Sequence, residues 1–218
     1  MNNLFNAVDE IFETLLQRYP ILEASRADIW KAFELLKTTY ENDKILFVAG
    51  NGGSAADSEH IVGELMKSFM AKRKIDDEFS QSLCDMFQET GEQLASSLEK
   101  GLPAVSLPSL TALSTAIIND VDGKMIFAQT LNSIGCKDDL FLGISTSGNS
   151  KNIVYAMMVA KAKGLHTLGL TGENTCKLDE LCDVVIHVPE TETYKIQELH
   201  LPVYHALCAM LESYFFNK

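Results

Sequence analysis

The sequence predicts an α/β protein, a three-layer α/β/α sandwich around a parallel sheet of roughly five strands. Two observations support this fold class. Short apolar runs of strand length alternate with stretches of helical periodicity, which is typical of a parallel sheet covered by helices on both faces. Two of the apolar runs end in loops rich in glycine and serine, as buried parallel strands often do. The length of 218 residues suits a single domain spanning 1–218.

The elements follow one another in a regular order. Apolar residues at helical spacing predict two N-terminal helices, over 5–15 and 29–40. Strands are predicted over 44–49, 103–107, 139–144, 165–170 and 184–188. Further helices are predicted over 55–69, 110–118, 125–134, 153–162 and 199–216. Pro202 lies inside the last helical pattern and lacks an N–H, so this helix is expected to bend at Pro202 or to begin close to it.

The two N-terminal helices carry more apolar side chains than one covering layer of a small sheet needs. These side chains are Phe5, Ile11, Phe12, Leu15, Leu16, Trp30, Phe33, Leu35 and Leu36. A monomer rarely exposes large apolar patches, and closed symmetric assemblies are the usual way to cover them. The pattern therefore predicts that the N-terminal helices form an interface in a homo-oligomer.

A helical insertion at about 70–100 interrupts the alternation of strands and helices. No strand pattern occurs there, and apolar residues at helical spacing stand among acidic, amide and serine residues. They are Phe79, Leu83, Met86, Phe87, Leu94 and Leu98. Gly91 is expected to divide the segment into two short helices. We expect the insertion to bury this stripe, either over or beside the functional cleft or at an interface between subunits.

Composition and charge argue against several classes of protein. Lys and Arg number 18 and Asp and Glu 30, so the net charge is −12, whereas nucleic-acid-binding proteins usually carry a basic face. No apolar run approaches the roughly 18 residues of a membrane helix, and the first residues lack the pattern of a signal peptide. The five cysteines are widely spaced and form no C-x-x-C, which favours reduced thiols in a cytoplasmic protein.

Two predicted strand ends carry loops suited to an anion. They are Gly50-Asn-Gly-Gly-Ser54, the glycine loop, and Ser145-Thr-Ser-Gly-Asn-Ser150, the hydroxyl loop. Ligands of open α/β sheets bind at the carboxyl ends of strands, where helix N-termini offer unpaired N–H groups to phosphate. Four hydroxyl side chains within six residues add donors without adding charge. The alternative is two ordinary strand-to-helix turns in which a serine caps each helix.

His60 and Glu64 stand four residues apart on the helix that the glycine loop begins, so they share one face. Such a pair could bind a divalent metal or act as an acid–base pair, although many pairs of this kind are plain surface contacts. Gln197 and His205 lie on neighbouring parts of one face of the last helix, and His200 projects nearby. Each histidine could also be a core residue that has its hydrogen bonds satisfied.

Three blocks of the sequence together resemble the sugar isomerase (SIS) family, and within it the phosphoheptose isomerase branch. They read GNGGSAADSEHIVGEL from Gly50, GISTSGNSKNI from Gly143 and IQELHLPVYHALC from Ile196. The segment AIIND, which ends at Asp120, is also similar to the family's pattern. The resemblance covers nearly the whole chain apart from the insertion and implies the SIS fold.

The resemblance implies an aldose–ketose isomerase that converts D-sedoheptulose 7-phosphate to D-glycero-D-manno-heptose 7-phosphate through an enediolate. It further implies a homotetramer with active sites at subunit interfaces. Carried over residue by residue, the phosphate is held by Ser145, Thr146, Ser147 and Ser150. The remaining substrate-binding positions are Asn51, Gly52, Gly53, Ser54, Asp120 and Gln197.

The same resemblance assigns the chemistry of the site. Glu64 matches the base that abstracts the proton, and His205 matches its acid–base partner. The zinc site of some members is matched by His60, Glu64, Gln197 and His205. Moving a carbonyl between neighbouring carbons needs a base and a group that stabilises the enediolate oxygen, and no nucleotide cofactor. Two alternatives share the fold: an isomerase of another sugar phosphate, and a non-catalytic binding module of the replication-initiator-associating type.

Overall fold

The computed structural model describes residues 2–216, with side chains from residue 7 onward. Its helices are α1 (Asn2–Arg18), α2 (Arg26–Glu41), α3 (Gly53–Met66), α4 (Asp77–Ser97), α5 (Thr111–Asp120), α6 (Ile126–Ile134), α7 (Lys151–Lys163), α8 (Leu178–Leu181) and α9 (Thr193–Phe216). Its strands are β1 (Leu46–Ala49), β2 (Ala104–Ser106), β3 (Leu140–Ile144), β4 (His166–Thr171) and β5 (Val184–His187). Short 3₁₀ turns occupy Pro20–Ser25, Leu107–Ser109 and Gly123–Met125. Within this range no helix has the length and apolar character needed to cross a membrane.

The five strands form one parallel sheet in the order β2-β1-β3-β4-β5, which confirms the predicted fold class. Its central strands β1 and β3 are buried along their whole length, because helices cover both faces. Since all strands run the same way, their carboxyl ends meet at one edge of the sheet. The glycine loop follows β1 and the hydroxyl loop follows its neighbour β3, so the topology brings the two loops together.

Two hydrophobic clusters fill the space on either side of the sheet. One joins the sheet to α1, α2, α3 and α9, and the other joins it to α6, α7 and α8. Ala49 and Phe47 point into the second cluster, whereas Leu46 and Val48 point into the first. This alternation along β1 is what a strand buried on both faces requires. The three-layer arrangement predicted from the sequence is therefore present.

The expectation that the N-terminal helices leave a large apolar surface for a partner is mostly wrong. Their apolar side chains Phe12, Leu15, Leu16, Phe33 and Leu36 are already buried within the protomer, and Ile11, Trp30 and Leu35 are partly buried. The side chain of Phe5 lies outside the described residues. The physical reason is α9, whose 24 residues pack along both N-terminal helices and cover them.

Helix α9 passes through Pro202 without ending there. It begins at Thr193, so the expectation that it might start near Pro202 is wrong. Pro202 is buried, and the residues around it belong to the larger hydrophobic cluster. Tertiary packing on both sides of the proline outweighs the loss of one backbone hydrogen bond. Gln197 and His205 therefore stand on one continuous helix.

The insertion folds into α4, which is broken once. The break lies at Gln88, whose φ of 50° is left-handed, and not at Gly91 as the sequence suggested. Gly91 serves close packing instead, because a Cβ there would lie 2.0 Å from the carbonyl oxygen of Leu83. The expected burial of the apolar stripe is not found within the protomer. Its exposed members are Phe79, Met86, Phe87, Leu94 and Leu98.

Candidate active site

The glycine loop turns tightly from β1 into α3. A Cβ at Gly50 would lie 2.3 Å from the carbonyl oxygen of Ser54, so only glycine permits this turn. Gly52 has a φ of +56°, the left-handed region that glycine adopts without strain. Asn51, Gly52 and Gly53 are exposed and Ser54 is buried at the first turn of α3. The N-terminus of α3 therefore opens toward the cleft at the strand ends.

The hydroxyl loop is the corresponding turn between β3 and α7. Ser145 is buried, and its hydroxyl donates to Ser150 Oγ at 3.1 Å, which draws the two ends of the loop together. Gly148 has a φ of +61°, and its N–H donates to the carbonyl of Ser145 at 2.9 Å. Ser147 is exposed and Thr146 is half-buried. The loop thus presents hydroxyls at the N-terminus of α7, where the helix dipole favours an anion.

A pair of amides ties the two loops to each other. Asn51 Nδ2 donates to Asn152 Oδ1 at 3.0 Å, and Asn152 Nδ2 donates to Asn51 Oδ1 at 2.7 Å. Asn152 also caps its own helix turn, since its Oδ1 accepts from the N–H of Ile153 at 3.0 Å. Sequence reasoning assigned Asn51 to the substrate and missed Asn152. Its position in the first turn of α7, directly after the hydroxyl loop, was the available signal.

A second layer supports the hydroxyl loop from below. The carbonyl of Thr146 accepts from the N–H of Gly172 at 3.1 Å, at the end of β4. Cys176 packs directly on Gly148, because a Cβ on that glycine would lie 2.0 Å from Cys176 Sγ. Burial raises the pKa of the Cys176 thiol above its ordinary value, so the thiol is protonated. The loop is therefore held by backbone contacts and by one tightly packed neutral side chain.

Three predicted chemical residues lie together between α3 and α9. His60 Nε2 is 3.2 Å from Glu64 Oε1 and 3.4 Å from His205 Nε2. The side chain of Glu64 is 14% exposed and that of His60 is 42% exposed, so the carboxylate lies deeper than the imidazole. We call His60, Glu64 and His205 the acid–base cluster. The spacing of His60 and Glu64 along α3 and the position of His205 on α9 produce it.

Tyr204 and Asp57 orient His60 from behind. Tyr204 O–H donates to Asp57 Oδ1 at 3.2 Å, and the same phenol oxygen is 3.1 Å from His60 Nδ1. Because the phenol O–H donates to Asp57, the phenol oxygen accepts a hydrogen bond from His60 Nδ1–H. The lone pair of His60 then lies on Nε2 and faces Glu64 and His205. Sequence reasoning missed both residues. Asp57 is one helical turn before His60, and Tyr204 adjoins His205, which were the signals available.

Burial sets the protonation of this region. It lowers the pKa of His205, and the neighbouring His60 lowers it further, while Glu64 raises it in part. His205 is therefore neutral at pH 7. Burial also raises the pKa of Tyr204 well above its ordinary value, so the phenol keeps its proton and remains a donor. Burial raises the pKa of Asp57 as well, although the Tyr204 hydrogen bond opposes that shift.

Two predicted site residues stand apart from the acid–base cluster. Gln197 lies beside the glycine loop, where its Nε2 would be 2.8 Å from a Cβ on Gly53. Asp120 is exposed at the end of α5, where its Oδ1 accepts from the side chain of its neighbour Asn119 at 2.7 Å. The structure thus places Gln197 at the glycine loop. It does not bring Asp120 to either loop within the protomer.

The metal ligands expected from the sequence are only partly assembled. Among residues 2–216, no group of three or more His, Cys, Asp or Glu side chains converges in a geometry that could hold a metal ion. The close contacts run pairwise through His60, and Gln197 lies at Gly53. Neighbouring ligands of a tetrahedral zinc ion with bonds of about 2.0–2.1 Å are about 3.3 Å apart. Both pairwise distances from His60 Nε2 are near that value, so this part of the set fits.

His205 also lines a separate cavity of about 520 Å³. Its walls come from α1, from α9 and from Tyr19, Phe69 and Met70, and most of them are apolar. Charged groups at its margin are Glu10 and Arg18. The cavity therefore meets the acid–base cluster on the side of α1 and α9, away from the strand ends.

Comparisons with known proteins agree with this architecture. The SIS domain family model matches residues 114–215. The phosphoheptose isomerase of Aneurinibacillus thermoaerophilus is 36% identical over 206 residues, which cover 94% of this chain and 89% of that protein. The structure of phosphoheptose isomerase from Neisseria gonorrhoeae is 28% identical, with a TM-score of 0.69 over 97% of this chain and 94% of that chain.

A second solved structure gives the same result. The phosphoheptose isomerase from Francisella tularensis is 26% identical, with a TM-score of 0.73 over 95% of this chain and 97% of that chain. The likeness extends along both chains and is not confined to the sheet. On the sequence identity and the shared fold together, this chain belongs to the phosphoheptose isomerase family of SIS-domain proteins.

Proposed function

We propose that this protein is an aldose–ketose isomerase that converts D-sedoheptulose 7-phosphate to D-glycero-D-manno-heptose 7-phosphate. The observation that carries the proposal is the acid–base cluster, in which His60 Nε2 lies 3.2 Å from Glu64 Oε1 and 3.4 Å from His205 Nε2. A non-catalytic phosphosugar-binding module would need the hydroxyl loop but not this cluster. In this proposal the chain is one SIS domain over 1–218 with a helical insertion at about 70–100.

The hydroxyl loop binds the phosphate in this proposal. Ser145, Thr146, Ser147 and Ser150 supply hydroxyls around the N-terminus of α7. Asn51, Gly52, Gly53, Ser54 and Gln197 line the neighbouring wall, and Asp120 binds sugar hydroxyls. The phosphate does not react, so its binding energy serves to place the reacting carbons.

The acid–base cluster transfers the protons. The Glu64 carboxylate takes the proton from the carbon beside the carbonyl, and the released electron pair forms the enediolate double bond. The N–H of neutral His205 donates a hydrogen bond to the carbonyl oxygen as charge develops there, and His205 gives this oxygen a proton as it receives one from the neighbouring hydroxyl. Return of a proton to the former carbonyl carbon and loss of one from the neighbouring hydroxyl complete the isomerisation. Positioned proton transfers of this kind contribute about 10²–10⁴-fold each.

We also propose zinc as a resident metal with the ligand set His60, Glu64, Gln197 and His205. Within one protomer Gln197 lies at Gly53, away from the other three residues, so it would complete the set only from a second protomer. The Nε2 lone pair of His60 faces Glu64 and His205, and its Nδ1 is oriented by Tyr204, an arrangement typical of metal-binding histidines. A bound zinc ion would supply a Lewis acid for the enediolate oxygen. Metal analysis of protein purified without chelator, together with activity in EDTA, tests it. Metal-free protein with full activity would contradict it.

We propose a cytoplasmic homotetramer whose active sites are shared between protomers. Gly53 and Glu64 are eleven residues apart on α3, which places the glycine loop and the proposed base about 16 Å apart along the helix axis. The cavity at His205 opens on the α1 and α9 side, where a second copy could supply its own loops. Exposed apolar side chains on and beside α5, Leu113, Ile118 and Val121, offer further contact surface. The five cysteines are free, which suits a reducing compartment.

A coupled assay with sedoheptulose 7-phosphate tests the function directly. Turnover should require the phosphate, so unphosphorylated sedoheptulose is the matched control substrate. No turnover at any enzyme concentration would contradict the proposal. Mixing Glu64→Gln protein with Ser147→Ala protein, after exchange of subunits, tests the shared site, because some mixed sites would regain both intact ends. Light scattering that gives about 24 kDa, the mass of one chain, would contradict the oligomer.

A further inference from the structure

The insertion is anchored at the end of the helix that carries Glu64. The two segments that flank the insertion meet in an antiparallel bridge between Lys74 and Glu99. There the N–H of Lys100 also donates to the carbonyl of Arg73 at 3.0 Å. From the second of these flanking segments, the Glu99 carboxylate reaches Ser68, two residues beyond α3. Glu99 Oε2 accepts from the N–H of Ser68 at 2.9 Å and from its hydroxyl at 2.7 Å.

The contacts continue from Ser68 to the proposed base. Lys67 Nζ donates to the carbonyl of Ser68 at 2.9 Å and to Glu64 Oε2 at 3.0 Å. The other oxygen of the same carboxylate, Oε1, faces His60 Nε2 at 3.2 Å. Lys67 therefore holds Oε2 of Glu64, while Oε1 faces the acid–base cluster. A continuous path leads from Glu99 through Ser68 and Lys67 to the carboxylate.

The first flanking segment carries Arg73 and holds the backbone at the end of α3. Arg73 donates to the carbonyls of Leu65 at 2.7 Å and Glu64 at 3.0 Å, and to Glu212 Oε1 at 2.8 Å. Burial would raise the pKa of Glu212, but the N–H groups of Phe69 and Met70, together with Arg73, lower it below its ordinary value. Glu212 is thus an ionised partner inside the protein. This fully buried ion pair leaves the end of α3 little freedom to move.

We infer that the segments flanking the insertion position the Glu64 carboxylate. Glu99 and Lys67 act as the positioning residues. The inference rests on the proposed function, since it concerns the orientation of the proposed base. Lys67 is 59% exposed, and an exposed ion pair of this kind contributes little to stability. Loss of the ion pair between Lys67 and Glu64 should therefore change the geometry of proton transfer and leave the fold intact.

Kinetics of five variants and two controls test the inference. Lys67→Met and Glu99→Ala should each lower kcat about tenfold with KM unchanged, because small displacements of a catalytic group slow the reaction steeply. The control for the lysine is Lys31→Met, since Lys31 Nζ lies 3.0 Å from Asp28 in the same i,i+3 geometry and with similar exposure. The control for the glutamate is Glu92→Ala, on the exposed surface of α4. Both controls should match the parent protein.

The conservative variants separate positioning from a general loss of contacts. Glu99→Gln keeps an oxygen that can accept from Ser68, and Lys67→Arg keeps a donor for Glu64, so both should retain most of the parent kcat. The double variant Lys67→Met with Glu99→Ala should fall no further than Lys67→Met alone, since both changes break one path. If the reductions in kcat of the two single variants multiply in the double variant, the inference is overturned. A kcat equal to that of the parent protein in both single variants would overturn it as well.

A readout without catalysis distinguishes this inference from the proposed function. In hydrogen–deuterium exchange, Glu99→Ala should speed exchange of the peptide around Ser68, whose N–H it releases, and Glu92→Ala should not. Unchanged exchange there would overturn the inference even if the enzyme is active. A parent protein that isomerises no sugar phosphate, yet shows this exchange pattern, would refute the proposed function and leave the anchoring of α3 in place.

Discussion

The proposed phosphate end of the site, at the hydroxyl loop, and the acid–base end are held by different parts of the chain. The hydroxyl loop takes its shape from the backbone, with Gly148 at a φ of +61° and Thr146 hydrogen-bonded to the end of β4. The acid–base cluster depends on side chains from two helices far apart in sequence, His60 on α3 and His205 on α9. Its supports are side chains as well: Tyr204 on one side and Lys67 on the other.

The difference teaches where each end can tolerate change. A loop defined by strand ends and glycines keeps its shape when one hydroxyl is removed. A cluster defined by interacting side chains changes its geometry when any one of them is removed. We therefore expect a substitution at the phosphate end to weaken binding by about the free energy of the hydrogen bond that it removes. Substitutions at the acid–base end should act mainly on turnover.

Glu64→Gln should have the largest effect. The amide keeps the shape and the reach of the carboxylate but cannot abstract a proton, so kcat should fall about 10²–10⁴-fold. Affinity for sugar phosphate, measured by calorimetry, should be unchanged. Glu59→Gln is the matched control on the same helix, where Glu59 accepts from Ser109 at 3.0 Å. Turnover of Glu64→Gln close to that of Glu59→Gln would exclude Glu64 as the base.

The sequence was sufficient to predict the fold and both loops, because their determinants are local. Apolar runs, strand-end glycines and four hydroxyls within six residues identify the sheet and the hydroxyl loop. The pair His60 and Glu64 was predictable for the same reason, since helical spacing alone places them on one face. The partners Asp57 and Asn152 also stand within one turn of recognised motifs.

Other features were out of reach because they depend on tertiary contacts. The buried pair of Arg73 and Glu212 joins residues 139 positions apart, and neither residue carries a local pattern. The apolar faces of α1 and α2 indicated a partner, yet the partner within the protomer is α9. The break in α4 falls at Gln88, a residue type that gives no signal of left-handed backbone.

His200 lies on α9 between Gln197 and His205, and we expect it to affect the stability of the fold. It is fully buried on α9, and neither ring nitrogen has a hydrogen-bond partner among the described residues. Burial lowers its pKa from 6.5 to about 4. The folded state therefore resists protonation, so its stability is complete above pH 6.5 and is lost as the pH falls toward 4. The loss should reach about 3 kcal/mol.

Urea unfolding of the parent protein and of His200→Leu between pH 7.5 and 4 measures this contribution. The leucine variant should lack the histidine's share of the acid-induced loss, so its stability relative to the parent should rise as the pH falls. At pH 7.5, where His200 is neutral in both states, the difference between them should be smallest. A difference that is constant with pH would mean that His200 is not held neutral in the folded protein.

Ser147→Ala should have a moderate effect, confined to the phosphate end. Loss of one hydrogen bond to a charged group costs about 1.5–3 kcal/mol, or about tenfold to a hundredfold in affinity for the sugar phosphate. Because Ser147 is exposed, the fold should be unaffected. Calorimetric titration with the sugar phosphate measures the change, and Ser133→Ala, an exposed hydroxyl on α6, is the control. Affinity equal to that of the control would show that Ser147 does not contact the phosphate.

Removing the outer part of the insertion should have the smallest effect on turnover. Replacing Asp76–Ser97 by a short Gly-Ser bridge deletes the broken helix with its exposed Phe79 and Met86, but keeps Lys67, Ser68 and Glu99. Since these retained residues position the carboxylate, kcat should stay near the parent value while Glu99→Ala lowers it. A large fall in kcat or a changed KM would instead indicate that α4 closes over the cleft as a lid. Dissociation to monomers in light scattering would show that the apolar stripe of α4 lies at a subunit interface.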